Sequence, residues 1–490
     1  MPALTDIDFR YSDARTEKLY SPEILRDGFV DFEARSRELL QPEKYIVYGP
    51  KGSGKTALAG HVELSAAGRY DWFARTEELD EFDFSSLRFD ETVSDQYSGL
   101  SGWRFLLALR ILTLMLRDEG LVHANPSLGT LRADLEAQGL LASASLVTVA
   151  ERTMKGGASL GFRFFADVSL KGDRETRWRP KSPAQMADAI IDYLRSMTPT
   201  GSKYLLFVDG LDYVLRKGKA HVGTIADLLS AVRTVNEALL QSRVDGKVVI
   251  LLRDEIARLV PSPDLTKRLN DNGIYVDWSP NLRDMFDNQL LAVVERRARA
   301  AGFTGDIRAL WGQWFPRRMH QVSSVKYVLL RTRFLPRDII SFFRAAQKVA
   351  SRVPLEPGQV MVAEKSYSDW FFSELSDALQ GMVAEEVRTA AASIIREVGI
   401  EFTVQDLQNS LAARGLDRLE SGVSLANAMF ETHWLGNVWL PAGRQPYVSF
   451  KYRGRNAGFS ADKRCVLHLG LRKGMNLQMP PGAYTGWDSD

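Results

Sequence analysis

The stretch Tyr45-Ile46-Val47-Tyr48-Gly49-Pro50-Lys51-Gly52-Ser53-Gly54-Lys55-Thr56 decides how this chain is read. Its first four residues are apolar and β-branched or aromatic, which suits a short buried strand. Gly49 to Thr56 then satisfies G-x-x-x-x-G-K-[ST], and Thr56-Ala57-Leu58-Ala59 opens a run of good helix formers. Strand, glycine-rich loop and helix in that order make a phosphate cradle. The glycines let the backbone turn its N–H groups inward, and the helix start adds partial positive charge. Gly49, Pro50, Lys51, Gly52, Ser53, Gly54, Lys55, Thr56 and Ala57 are therefore the candidate nucleotide-binding residues. Lys55 is expected to reach the β/γ-phosphates, and the Thr56 hydroxyl to ligate Mg²⁺.

Composition sets the outer bounds. With 490 residues, 45% of them apolar and 25% charged, the chain is ordinary globular material and long enough for two or three domains. A net charge of +2 excludes a general electrostatic hold on nucleic acid, so any such partner needs a local basic patch. The single cysteine, Cys465, rules out a disulfide framework or thiolate cluster within one chain and fits a reducing cytoplasm. No signal-like or membrane-spanning run is present: Phe105 to Leu116 is interrupted by Arg110 and is too short. The expectation is a soluble, cytoplasmic protein with no membrane partner.

The runs Tyr70–Thr76, Lys203–Val208, Lys247–Leu252 and Gly273–Trp278 supply four further strands, separated by helical patterns such as Ser101–Leu116 and Thr224–Leu240. Trp103 is read as core, since large aromatics at helical spacing are mostly buried. Lys203 to Val208 is a nearly continuous apolar strand that ends in Asp209-Gly210-Leu211-Asp212. Such a strand delivers a carboxylate to its C-terminal edge: Asp209 is expected at the Mg²⁺, with Asp212 beyond it to orient or deprotonate a water. Arg253 follows the next strand and is a candidate phosphate sensor. Arg268, or its neighbour Lys267, is placed to act as an arginine finger or to be ordinary surface charge. Alternation over Ala158–Leu170 predicts a β-hairpin insertion near 157–171. Five strands alternating with helices imply a doubly wound α/β domain, its ligand at the carboxyl ends of the strands.

From Asn281 the pattern is helical. Pro336 starts a helix and sets Arg337 in its first turn, where it either leans over bound phosphates or pairs only with Asp338. After a linker at Pro354–Gly358, helices at 366–397, 403–413 and 420–432 precede two short strand-like runs, Trp439-Leu440 and Tyr447–Phe450. That is a winged-helix order. Between Arg444 and Lys473 stand eight basic residues (Arg444, Lys451, Arg453, Arg455, Lys463, Arg464, Arg472 and Lys473) against Asp462 alone, with aromatics among them. The stretch suits either nucleic acid or a protein partner. The resulting domains are an N-terminal segment at 1–42, a core at 43–280, a helical lid at 281–353, a winged-helix-like domain at 354–478 and a tail at 479–490.

Taken together, Gly49–Thr56, Val208–Asp212, Arg253, Tyr275–Trp278 and Leu335–Asp338 resemble a bacterial P-loop ATPase family related to AAA+ and STAND NTPases. The resemblance implies an ASCE-type core, ATP and Mg²⁺ as ligands, Pro336 and Arg337 near the nucleotide, and Asp212 serving the water, because position 210 is glycine where AAA+ proteins usually carry glutamate. It also implies homo-oligomers and a role in anti-phage defence or signalling with a partner effector. Two alternatives stay open: a nucleotide-dependent oligomerisation switch with little turnover, and a DNA-binding ATPase acting through the basic wing. Six scattered histidines and one cysteine form no nuclease, protease or deaminase constellation.

Overall fold

The computed structural model describes residues 2–79, 98–139, 163–169, 183–211, 222–260, 264–278, 283–441, 443, 447–454 and 456–477. Its contacts divide the chain into two units. The sheet unit comprises Glu33–Gly49 and Lys55–Val276, and the helical unit Met1–Phe32, Pro50–Gly54 and Asp277–Asp490.

The sheet unit is built on β1 (Ile46–Gly49), β2 (Trp72–Glu78), β3 (Lys203–Asp209), β4 (Asp245–Arg253) and β5 (Gly273–Tyr275). All pairings are parallel, in the order β2-β3-β4-β1-β5. Lys247 to Leu252 are buried without a break, and because successive strand residues face opposite ways, both faces of β4 are covered. The helices Ser98–Met115, Pro183–Ser196 and Val222–Gln241 pack on one another. Trp103 is fully buried among them, as its helical spacing predicts. The ammonium of buried Lys247 donates to the carbonyls of Leu39, Gln41 and Lys44. Three acceptors around one cation pin the turn that leads into β1.

One expected element is absent in its described part. Where alternation predicts a hairpin, Arg163–Ser169 is α-helical. Phe164 and Phe165 are both buried, with Val168 packed against the same core, a spacing that fits a helix face and not a pleated strand. Asp134 fixes the helix start by accepting from Phe164 N–H at 2.9 Å and Arg163 Nε at 3.0 Å. The rest of the proposed insertion lies outside the described residues.

In the helical unit the N-terminal residues Leu4, Ile7 and Phe9 join a core with Leu290, Trp311, Trp314 and Phe343. Arg297 is buried: it pairs with Glu17 at 2.7 Å and donates to the Asp8 carbonyl at 2.7 Å. The single helix expected over 366–397 is two helices, Pro357–Ala378 and Glu385–Val398. They are separated at Gly381, whose φ of +77° ends a regular helix. Leu355 in the expected linker is buried, and Pro357 already opens the first of these helices. The helices Val404–Ala413 and Gly422–Glu431 follow, then a four-stranded antiparallel sheet in the order Tyr447–Ser449, Leu435–Trp439, Cys465–Leu467, Glu401–Phe402.

Candidate functional site

In the sheet unit β1 ends at Gly49, and Lys55 opens the helix Lys55–Ala66. Lys55 is buried and its ammonium donates to the Gly49 carbonyl at 2.8 Å. Thr56 Oγ1 donates to Asp209 Oδ2 at 2.7 Å, joining residues 153 apart. This contact is not between neighbouring strands, because β4 lies between β1 and β3. The other Asp209 oxygen accepts from the Gly210 N–H at 2.8 Å, and Gly210 has φ +87°, a conformation that glycine adopts without strain. A hydroxyl and a carboxylate side by side are the oxygen donors a hard cation takes.

Arg253 is the last residue of β4 and lies in register with Gly49. The helix Asp254–Leu259 follows it directly and packs against β1. Glu255 on that helix keeps a buried carboxyl oxygen, Oε2, with no hydrogen-bond partner. Burial pushes its pKa up, against the pull of Arg253 and Lys55. Arg268 is half-buried on the helix Leu265–Asn272, and its Nη1 is 3.4 Å from Ser230 Oγ. No hydrogen bond or ion pair among the described residues joins it to the loop. Asp212 lies outside the described residues.

Residues Pro50–Gly54 group by their contacts with the helical unit, which holds them on three sides. Trp278 Nε1 donates to the Ser53 carbonyl at 2.8 Å, and its ring stacks on Phe32 with centroids 4.8 Å apart. The Arg337 N–H points to the Gly52 carbonyl at 3.4 Å. Lys51 pairs with Glu374 at 3.0 Å. Gly52 and Gly54 have φ of +89° and +99°, and a Cβ on Gly52 would sit 3.1 Å from the Cβ of Arg337. Two of the motif's glycines thus carry backbone that other residues adopt only under strain.

Pro336 occupies the first turn of the helix Pro336–Val349, as its sequence position predicts. The Arg337 guanidinium reaches Glu374 at 3.2 Å, Asp13 at 3.4 Å and the Ser12 carbonyl at 3.3 Å. Its alternative partner, Asp338, is engaged elsewhere: both Asp338 oxygens hold the buried Arg333 guanidinium, at 2.6 and 2.9 Å. For Glu374, burial works to raise the pKa, but Lys51, Arg333 and Arg337 outweigh it and bring the carboxyl down to about 2. Glu374 escapes motif reading, and Trp278 is read from sequence only as the end of the fifth strand, not as a donor to the loop. The available signal for Glu374 was an acid between Phe371 and Leu375 on a buried helix face, where a carboxylate requires partners.

The basic stretch near the C-terminus is largely engaged within its own unit. Lys451 donates to the Ala457 carbonyl at 2.7 Å, Arg464 pairs with Glu401 at 3.1 Å, and Lys473 pairs with Glu364 at 3.3 Å. Lys463 pairs with Asp462 at 2.9 Å, Arg472 donates to the Leu467 carbonyl, and Arg453 lies over the Phe450 and Tyr452 rings. Arg444 and Arg455 fall outside the described residues. Among the described residues no group of three or more His, Cys, Asp or Glu is placed to hold a metal, and no helix is long and apolar enough to cross a membrane.

Residues 288–376 are similar to a known module, the FunZ-associated C-terminal helical domain. The match takes in Arg333, Arg337, Asp338 and Glu374. The chain matches none of the curated proteins it was compared with.

Proposed function

We propose that this protein is a P-loop ATPase of the AAA+/STAND-like kind that binds Mg-ATP at Gly49–Thr56 and hydrolyses it to drive a conformational change or assembly. The observation that carries the reading is the 2.7 Å contact between Thr56 and Asp209. Two residues that two separate motifs assign to one Mg²⁺ stand together across an intervening strand. A bound Mg²⁺ would neutralise charge on the β- and γ-phosphates. Thr56 and Asp209 would hold it with phosphate and water oxygens completing the shell.

In this reading Lys55 exchanges its Gly49 carbonyl for the β/γ-phosphates, and the loop N–H groups close around them. Arg253, in register with Gly49, monitors the terminal phosphate. Lys51 and Arg337, both paired with Glu374, are cations that a phosphate can compete for. The resemblance to AAA+ and STAND proteins adds a defence or signalling setting with homo-oligomers and a separate effector. A second reading, an oligomerisation switch with slow turnover, is favoured by Gly210, which leaves no acid directly after Asp209. DNA binding by a winged-helix-like C-terminal domain ranks below both, because the described basic residues there already have internal partners.

The test is calorimetric titration of Mg-ATP beside a phosphate-release assay. Lys55→Ala should weaken binding by roughly tenfold or more, equivalent to at least about 1.4 kcal/mol. Asp209→Asn should raise the Mg²⁺ concentration needed for half-maximal binding. Unchanged affinity in Lys55→Ala overturns the reading. Tight binding with negligible phosphate release and ATP-dependent oligomers would select the switch.

A further inference from the structure

We propose that Glu255 is the proton acceptor for the water that attacks the γ-phosphate; this rests on the nucleotide reading above. Arg253 pairs in register with Gly49, so β4 ends beside the start of the phosphate loop. Glu255 stands two residues further, on a helix packed against β1, and the cations acting on its carboxylate are Arg253 and Lys55. Lys55 is the residue expected at the β/γ-phosphates, which brings Glu255 to the end of the nucleotide where hydrolysis occurs.

The other described acids at these strand ends are already occupied or open to solvent. Asp209 accepts from Thr56 and from the Gly210 N–H. Asp254 pairs with Arg258 at 2.5 Å, and Glu78 at the end of β2 is exposed. Glu255 alone among them presents a buried oxygen without a hydrogen-bond partner. An unsatisfied carboxylate oxygen in a buried position is costly unless a ligand supplies the missing donor. A water poised for attack is such a donor.

The step balances with no further reactant. The water oxygen forms a bond to the γ-phosphorus, the bond from that phosphorus to the β–γ bridging oxygen breaks, and its electron pair leaves with ADP. Glu255 Oε2 takes the water proton and later returns it to solvent. The groups acting on this carboxyl are Arg253 from β4, Lys55 from the loop end and Asp254 beside it. Burial raises its affinity for a proton, bringing it nearer to what a base needs close to neutrality.

Wild type, Glu255→Gln, Glu255→Asp and Asp212→Asn are compared by Mg-ATP titration and by phosphate release across pH 5 to 9. The expected result is a loss of turnover of about 10²-fold or more in Glu255→Gln, with the Mg-ATP Kd within about threefold of wild type. Wild-type turnover should rise with pH through the carboxyl's titration, and Glu255→Gln should lose that acid limb. Glu255→Asp should keep the limb at reduced rate. Turnover of Glu255→Gln within about threefold of wild type overturns the proposal, as does an unchanged acid limb in that variant or an Asp212→Asn variant that alone is inactive. If Glu255→Gln fails to bind nucleotide, Glu255→Asp decides: loss of turnover and binding together there also overturns it. Failure of the wild type itself to bind Mg-ATP overturns the nucleotide reading instead, so the two failures are distinct.

Discussion

Lys51 and Arg337 share one oxygen: Glu374 Oε1 lies 3.0 Å from the Lys51 ammonium and 3.2 Å from the Arg337 guanidinium. A single half-buried carboxylate thereby ties Lys51 to the first turn of the Pro336–Val349 helix. With its carboxyl down to about 2 against an ordinary 4.5, Glu374 stabilises the folded state above pH 4.5. That contribution, of order 3 kcal/mol, is lost progressively as pH falls from 4.5 towards 2. Glu374→Gln should therefore lower the melting temperature at pH 7, and its deficit against wild type should shrink by pH 3. A deficit of equal size at both pH values would exclude an ionised Glu374 as the source.

Gly52→Ala tests the loop backbone. The new methyl would meet the Arg337 Cβ at 3.1 Å in a backbone of φ +89°, a left-handed conformation that costs a non-glycine residue about 1 kcal/mol or more. Nucleotide affinity should drop, while far-ultraviolet circular dichroism stays that of wild type. Full affinity in this variant would mean that the loop geometry does not carry binding.

Trp278→Phe keeps an aromatic ring against Phe32 but removes the donor to the Ser53 carbonyl along with part of the ring volume. The expected stability loss is about 1 to 3 kcal/mol, the range for leaving a buried acceptor unmatched. Faster amide exchange at Ser53 and Gly54 by hydrogen–deuterium mass spectrometry is the specific readout, and unchanged exchange there would refute the contact's role.

Arg333 and Asp338 form a fully buried ion pair, so removing one partner should harm more than removing both. Arg333→Met is expected to cost about 3 to 5 kcal/mol. Adding Asp338→Leu to it should recover part of that loss, because the stranded carboxylate is gone. Chemical denaturation of the two variants checks the order, and a double variant less stable than Arg333→Met would contradict it.

β1, β3 and β4 were legible because each is a largely apolar run, as a buried parallel strand requires, whereas β2 carries Arg75, Glu77 and Glu78 within it. Thr56 and Asp209 could be expected side by side because the sequence reading assigns both to one Mg²⁺, and they are in contact at 2.7 Å. The helix at Arg163–Ser169 was not legible: alternation over a few residues fits a strand, and its helical face shows only when Phe164, Phe165 and Val168 have a core to meet. Glu374 has no motif, and its role depends on cations that are distant in sequence. The internal partners of the basic stretch were not legible either, since a count of charges omits Glu401, Glu364 and the carbonyls that engage them. The Arg337 alternative failed because Asp338 already had Arg333.

The strand order has a consequence for how the chain is made. β1 leaves the ribosome well before its partners on both sides, β4 and β5, which are translated about two hundred residues later. Until then its apolar edges have no strand of their own sheet to bind. The nascent chain carries an unfinished sheet through much of its synthesis, with β2 and β3 able to pair before β1 can take its place. Pausing or truncation before β4 emerges should thus yield fragments that depend on chaperones, whereas an interruption after β5 leaves a sheet that can close.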